Sequence, residues 1–220
     1  LKKGLGACNE RFFCRRCRLF YFTKRRITMD LTKFRDDANL RYAAKHFRES
    51  GIVFHGDVFT HHYRKGDLIH FCNQGHNTFT TEGMARILNI VFRAQTTESK
   101  IYVGIFKNNV TPAVGNTAAA CLGAAGTYGE CQDADYDSPA TNKPEYTMAS
   151  TSTATATNAA SPASFTINAG ITVYGAFLST GAAKTATTGT LFCGKAFTTA
   201  RAVVADDVLA VTYVISATTS

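Results

Sequence analysis

One run near the C-terminus constrains the fold most. From Asp207 to Ala217, Leu209, Val211, Tyr213 and Ile215 fall on one side of an extended chain and Val208, Ala210, Thr212 and Val214 on the other. Successive side chains of a strand point to opposite faces, so this run has a large apolar face and a smaller one, and both must be covered. It closes a region, from Asn108 onward, that is almost devoid of helix signals and rich in Thr, Ala, Ser and Gly. Ser164 to Asn168, Ile171 to Ser179 and Leu191 to Thr198 are further strand candidates, separated by turns containing Gly, Ala and Asp. Short strands at such spacing predict a mainly β chain, a β-sandwich or jelly-roll, rather than alternating β and α units. Thr147 to Ser164, nearly pure Thr, Ala and Ser, reads as a loop running into an edge strand.

Upstream, Asp57 to Arg64 and Asp67 to Asn73 are β-favouring runs around Lys65-Gly66, a two-residue hairpin connection. Counting outward from that turn sets Arg64 opposite Asp67 and His61 opposite His70. Thr80-Thr81-Glu82-Gly83 opens one short helix, in which Met84, Ile87, Leu88 and Val91 share a face. Ile101 to Phe106, apolar on both faces, predicts a central strand. Met29 to Ser50, with Leu31, Phe34, Leu40, Tyr42, Ala43 and Phe47 as an apolar stripe, predicts a helical arm stopped by Gly51.

Charge is confined to one end. Residues 1–28 hold nine of the 24 Lys and Arg against the single anion Glu10, a surplus of eight that is the whole +8 of the chain. The body from Met29 is neutral and has no electrostatic reason to seek phosphate. The expected division is thus a basic head at 1–28, the arm at 29–50 and a β-rich body at 51–220. The head reads as an unstructured arm or as translated leader, since Arg25-Arg26 can be encoded by a purine run like a ribosome-binding site just ahead of Met29. Its cations, interleaved with Phe12, Phe13, Phe20, Tyr21 and Phe22, could hold nucleic acid, but no defined reading motif is present and such a partner is not expected. No stretch of about 18 apolar residues exists for a membrane span.

Three groups have the residue types of a metal site. Cys14 and Cys17, with Cys8 upstream, have thiolate spacing but lack the second close pair that tetrahedral zinc needs. His61 and His70, paired across the hairpin, could share a metal or titrate together. Asp133, Asp135 and Asp137 alternate like the opening of a calcium loop, yet Ser138 and Pro144 stand where its glycine and distal acid belong. In each case the ordinary alternative is favoured: an arm, half-buried imidazoles, a solvated turn. Cys72, Cys121, Cys131 and Cys193 read as buried reduced thiols. There is no G-x-S-x-G elbow, no H-E-x-x-H and no phosphate-cradling glycine loop, and Cys72 near His70 has no group to orient the base. No catalytic residue and no cofactor are expected.

From Gly56 onward the order of motifs resembles a family of small virion proteins that tailed bacteriophages encode near their capsid genes. The likeness rests on the hairpin leading to Asn77–Leu88 ("N-x-x-x-x-E-G-x-x-x-I-L"), on Ile101–Pro112 ("IYVGIFKNNVTP") and on Tyr136–Thr147 ("YDSPATNKPEYT"). It continues through Thr172–Thr180 ("TVYGAFLST") to Arg201-Ala202-Val203 and the ending "D-x-L-x-V-T-Y" at Asp207–Tyr213. It covers about three quarters of the chain and leaves out Leu1 to Gly51. Where that family has glycine before the last-strand aspartate, this chain has Asp206. The resemblance implies residence in the virion, as a head decoration or cement protein bound to the major capsid protein, with a head or tail fibre role as the alternative. A decoration protein is expected to self-associate, here as a homotrimer, and to gain strength from many weak contacts acting together.

Overall fold

The structure, a computed structural model, describes residues 51–148 and 152–219. The basic head with Cys8, Cys14 and Cys17 and the expected arm at 29–50 lie outside the described residues.

The described chain is mainly β and its strand pairings are antiparallel. In chain order the elements are β1 (Ile52–Arg64), β2 (Asp67–His76), β3 (Thr78–Phe79), α1 (Thr81–Arg93), β4 (Tyr102–Phe106), α2 (Ala118–Cys121) and β5 (Tyr136–Ser138). Then come β6 (Thr155–Thr157), β7 (Ala163–Ile167), β8 (Ile171–Ser179), β9 (Leu191–Val203) and β10 (Val208–Thr219). One sheet runs β2-β1-β10-β7-β5, with β6 also on β10, and the other runs β3-β9-β8-β4. No helix among the described residues is long and apolar enough to cross a membrane.

Both sheets contribute to a single core. Val58, Phe165, Ile167, Leu209, Val211 and Tyr213 from the first meet Val103, Ile105, Val173, Leu178, Phe192 and Val203 from the second. The large apolar face of the last strand is therefore the core face, as its alternation requires. A second cluster of Phe106, Cys121, Leu122, Tyr128, Phe177 and Leu191 packs α2 and its loop onto the four-stranded sheet. Two G-x-F repeats lock that sheet. Gly104 pairs with Phe177 and Phe106 with Gly175, and each phenylalanine ring occupies the space a Cβ on the opposite glycine would need.

Three expectations need correction. Ile101–Phe106 is not central: β4 is the edge of its sheet. Its apolar character reports burial, because loops cover the edge. Cys131 N donates to Ile105 O at 3.0 Å, Val103 N to Pro144 O at 2.9 Å and Tyr146 N to Ile101 O at 2.7 Å. A second helix, α2, lies in the region that lacked helix signals, one turn capped by Thr117, whose side chain accepts from Ala120 N.

The third concerns the hairpin. Its turn is as expected, with Lys65 at φ 53°, Gly66 at φ 87° and Arg64 opposite Asp67, but a bulge between His62 and Tyr63 shifts the register beyond it. His70 consequently faces His62, and His61 faces Phe71. A one-residue slip moves a side chain to the other face, so His61 and His70 do not share a site. Elsewhere the match is close. The helix begins at the expected cap, Ile171–Ser179 is β8, and the Thr- and Ala-rich run yields the short strand β6 on β10. Asp206 has φ 69°, a left-handed conformation natural to glycine and tolerated by aspartate.

Candidate interaction surface

The helix is seated by its first turn. Thr80 caps it by accepting from Gly83 N at 3.0 Å and also donates to Leu191 O. Glu82 Oε2 accepts from Leu191 N and Ala118 N, both at 2.8 Å, tying α1 to β9 and α2. Gly83 is the one fully buried residue of α1, and a Cβ there would lie 2.5 Å from Phe192 Cα. Beyond that turn the apolar face is only partly used. Ile87 packs on the core, while Leu88, Val91 and Phe92 are 51%, 64% and 77% exposed. Residues three and four apart share a helix face, so these three form one uncovered apolar strip.

A second uncovered surface lies on the hairpin. β2 ends its sheet, and Leu68, Ile69 and Phe71 on it are about half exposed. Phe71 stands beside Phe59, with parallel rings 6.3 Å apart, and beside His61 at 4.8 Å, and His61 stacks on Tyr63. This row borders a recess of about 410 Å³ floored by Thr212 and Val214 and walled by Ala159 and Pro162. An exposed edge strand with apolar side chains is a ready template for another chain.

The inner face of the same hairpin is polar. Asp207, buried in the β9–β10 turn, accepts from Arg64 Nε and Nη2 and from His62 Nε2, all at 2.8 Å, and from Val204 N at 2.9 Å. The doubly bonded Arg64 guanidinium, helped by Val204 N–H and His62, holds the Asp207 carboxyl well below the usual carboxylate range, against the opposing effect of burial. Arg201 Nη2 lies 3.3 Å from His62 Nδ1. His70 completes the group. Burial first, then the charges of Arg201 and His62, pushes its pKa below the ordinary imidazole value. The hairpin reading missed this cluster because the bulge, which leaves Ile69 of β2 unpaired, sets His70 opposite His62, the imidazole that the alternation of β1 turns inward.

Two of the three alternating aspartates are engaged by lysines, and Asp135 is buried rather than solvated. Asp135 accepts from Lys107 Nζ at 2.9 and 2.8 Å and Asp133 from Lys184 Nζ at 2.9 Å, while Asp137 is exposed on β5. No cluster of three metal-ligating side chains occurs among the described residues. Deeper, Lys143 Nζ donates to Glu130 Oε1 and Ala183 O, each at 2.8 Å, and Gly123 N donates to Glu130 Oε2 at 2.8 Å. Burial pushes this lysine down and this glutamate up, toward their neutral forms. No sequence motif marked the pair. Cys121, Cys131 and Cys193 are buried free thiols as expected, with Cys193 pushed up to about 12 by burial, whereas Cys72 on β2 is only half-buried.

The described residues thus define a mainly β, two-sheet protein with buried ion pairs and with two clusters of uncovered apolar side chains, one on a helix and one on a sheet edge. No protein-family model, no curated protein and no solved structure matches the chain.

Proposed function

We propose that this chain is a structural protein of a tailed-bacteriophage virion, a capsid decoration or cement protein that binds and stabilises the lattice of the major capsid protein. In this reading the two sheets form a β-sandwich or jelly-roll, the protein associates as a homotrimer, and it is assembled in the bacterial cytoplasm and resides on the capsid surface. No catalytic role and no cofactor belong to it. The observation that carries the reading is the pair of uncovered apolar surfaces, Leu88, Val91 and Phe92 on α1 and Leu68, Ile69 and Phe71 on the β2 edge. Clustered apolar side chains on a rigid body supply contact area for adhesion and no chemistry. Quantitative mass spectrometry of purified virions tests it: copies on the order of hundreds per particle are expected, as lattice binding needs. Absence from the particle overturns it.

The row of Phe59, His61, Tyr63 and Phe71 beside its recess favours a second reading, a fibre or host receptor-binding protein. Rigid rings offer large contact area at small entropic cost. A few copies per virion, located at the tail or vertices, would select this reading over the first.

A further inference from the structure

We propose that the contact between His62 and Arg201 is an acid-released clamp that holds the tip of the β1–β2 hairpin against β9. Arg201 Nη2 can only donate, so His62 Nδ1, 3.3 Å away, must accept, and the ring proton sits on Nε2, which donates to Asp207 Oδ2 at 2.8 Å. His62 is thereby fixed as the neutral Nε2–H tautomer with both nitrogens engaged. Asp207 makes no bond to Arg201: its Oδ1 accepts from Arg64 Nε and its Oδ2 from Arg64 Nη2, Val204 N and His62 Nε2. Arg201 therefore has no carboxylate partner among the described residues, and its Nε is buried without a hydrogen bond.

Protonation of His62 at Nδ1 turns the acceptor that meets Arg201 into a second donor and sets an imidazolium beside the guanidinium. His70, directly opposite His62, adds another charge at the same place, and its Nε2 is buried without a partner. The groups facing the two imidazoles are Arg64 on β1, half-buried Cys72 on β2, Arg201 on β9 and Asp207 in the β9–β10 turn. With both rings charged, two imidazolium and two guanidinium groups confront one carboxylate. Because the folded-state pKa of His70 lies below its ordinary value of 6.5, its neutral form favours the closed tip above that pH, and this contribution is lost as pH falls below it. Release is confined to the tip. Nearer the other end of β2, Gln74 stays bound to β9 through Thr198 N at 2.8 Å and Thr198 Oγ1 at 3.2 Å.

Two measurements on the full chain test the clamp. Imidazole nitrogen NMR at pH 7.5 should show His62 as the Nε2–H tautomer, and the Nδ1–H tautomer overturns the proposal whether or not any variant folds. Hydrogen exchange, corrected for intrinsic rates, should accelerate at least about ten-fold over Asp67–Phe71 between pH 7.5 and 5.5 while β8 stays protected. The double variant His62→Gln, His70→Gln keeps a donor and an acceptor at each position without a titrating group and should lose that acceleration. Flat exchange in the wild type, or equal acid opening in the variant, overturns the clamp.

Discussion

At the scale of single residues, stability rests on charges taken out of water in matched sets. Lys143 and Glu130 are 0% and 1% exposed, so neither is eased by solvent. Lys143→Ala leaves Glu130 a buried carboxylate without its cation, and we expect a loss of about 3–5 kcal/mol in denaturant unfolding. Lys143→Met combined with Glu130→Leu should recover most of that loss. The remainder reflects Gly123 N–H, which loses its carboxylate partner, while Ala183 O keeps its bond from Ala186 N at 3.0 Å. Asp207 sets the acid limit. Its carboxyl is depressed in the folded state, so its contribution is present above the usual carboxylate pKa near 4 and disappears as pH falls below it. Arg64→Leu should raise the pH of acid unfolding, read by circular dichroism, because the largest cause of the depression is removed. An unchanged acid midpoint would show that the Arg64 bonds do not act.

At the scale of elements, attachment matters more than propensity. α1 is fixed through Thr80, Glu82 and Gly83, and its later turns make few core contacts. Thr80→Ala removes the cap and the bond to Leu191 O, and a loss of about 1–2 kcal/mol in thermal unfolding is expected. In the four-stranded sheet, Gly104→Ala or Gly175→Ala would drive a methyl into the ring of Phe177 or Phe106, at a cost of about 1–3 kcal/mol. The elements themselves were legible where local physics decides them: the helix from its cap, the hairpin turn from Lys65-Gly66, β8 and β10 from their alternation. The bulge between His62 and Tyr63 was not, because it answers to which side chains the core and the β9–β10 turn accept. Nor was the edge position of β4, since burial by a loop and burial by neighbouring strands leave the same apolar pattern. The candidate surface was half legible: Leu88 and Val91 stood out by spacing, but spacing does not say whether a stripe faces the core or the outside.

At the scale of the whole molecule, the uncovered strip on α1 should govern association. Val91→Asp with Phe92→Asp should shift the mass measured by light scattering from oligomer to monomer and leave unfolding within about 0.5 kcal/mol, as expected of exposed positions. An unchanged oligomer would place self-association elsewhere, and a monomeric wild type would remove the homotrimer from the proposed function. What the amino-acid order alone settled is the mainly β character, the helix, the hairpin tip and the neutrality of the body, because alternation, caps, turn residues and charge are properties of neighbours in the chain. Tertiary structure alone decided that His62 rather than His61 meets His70, that Asp207 gathers Arg64 and His62, that Lys143 finds Glu130, and that half of an apolar helix face is left uncovered. Those outcomes depend on which distant surfaces meet, and a pattern read along one strand or one helix carries no record of what packs against it.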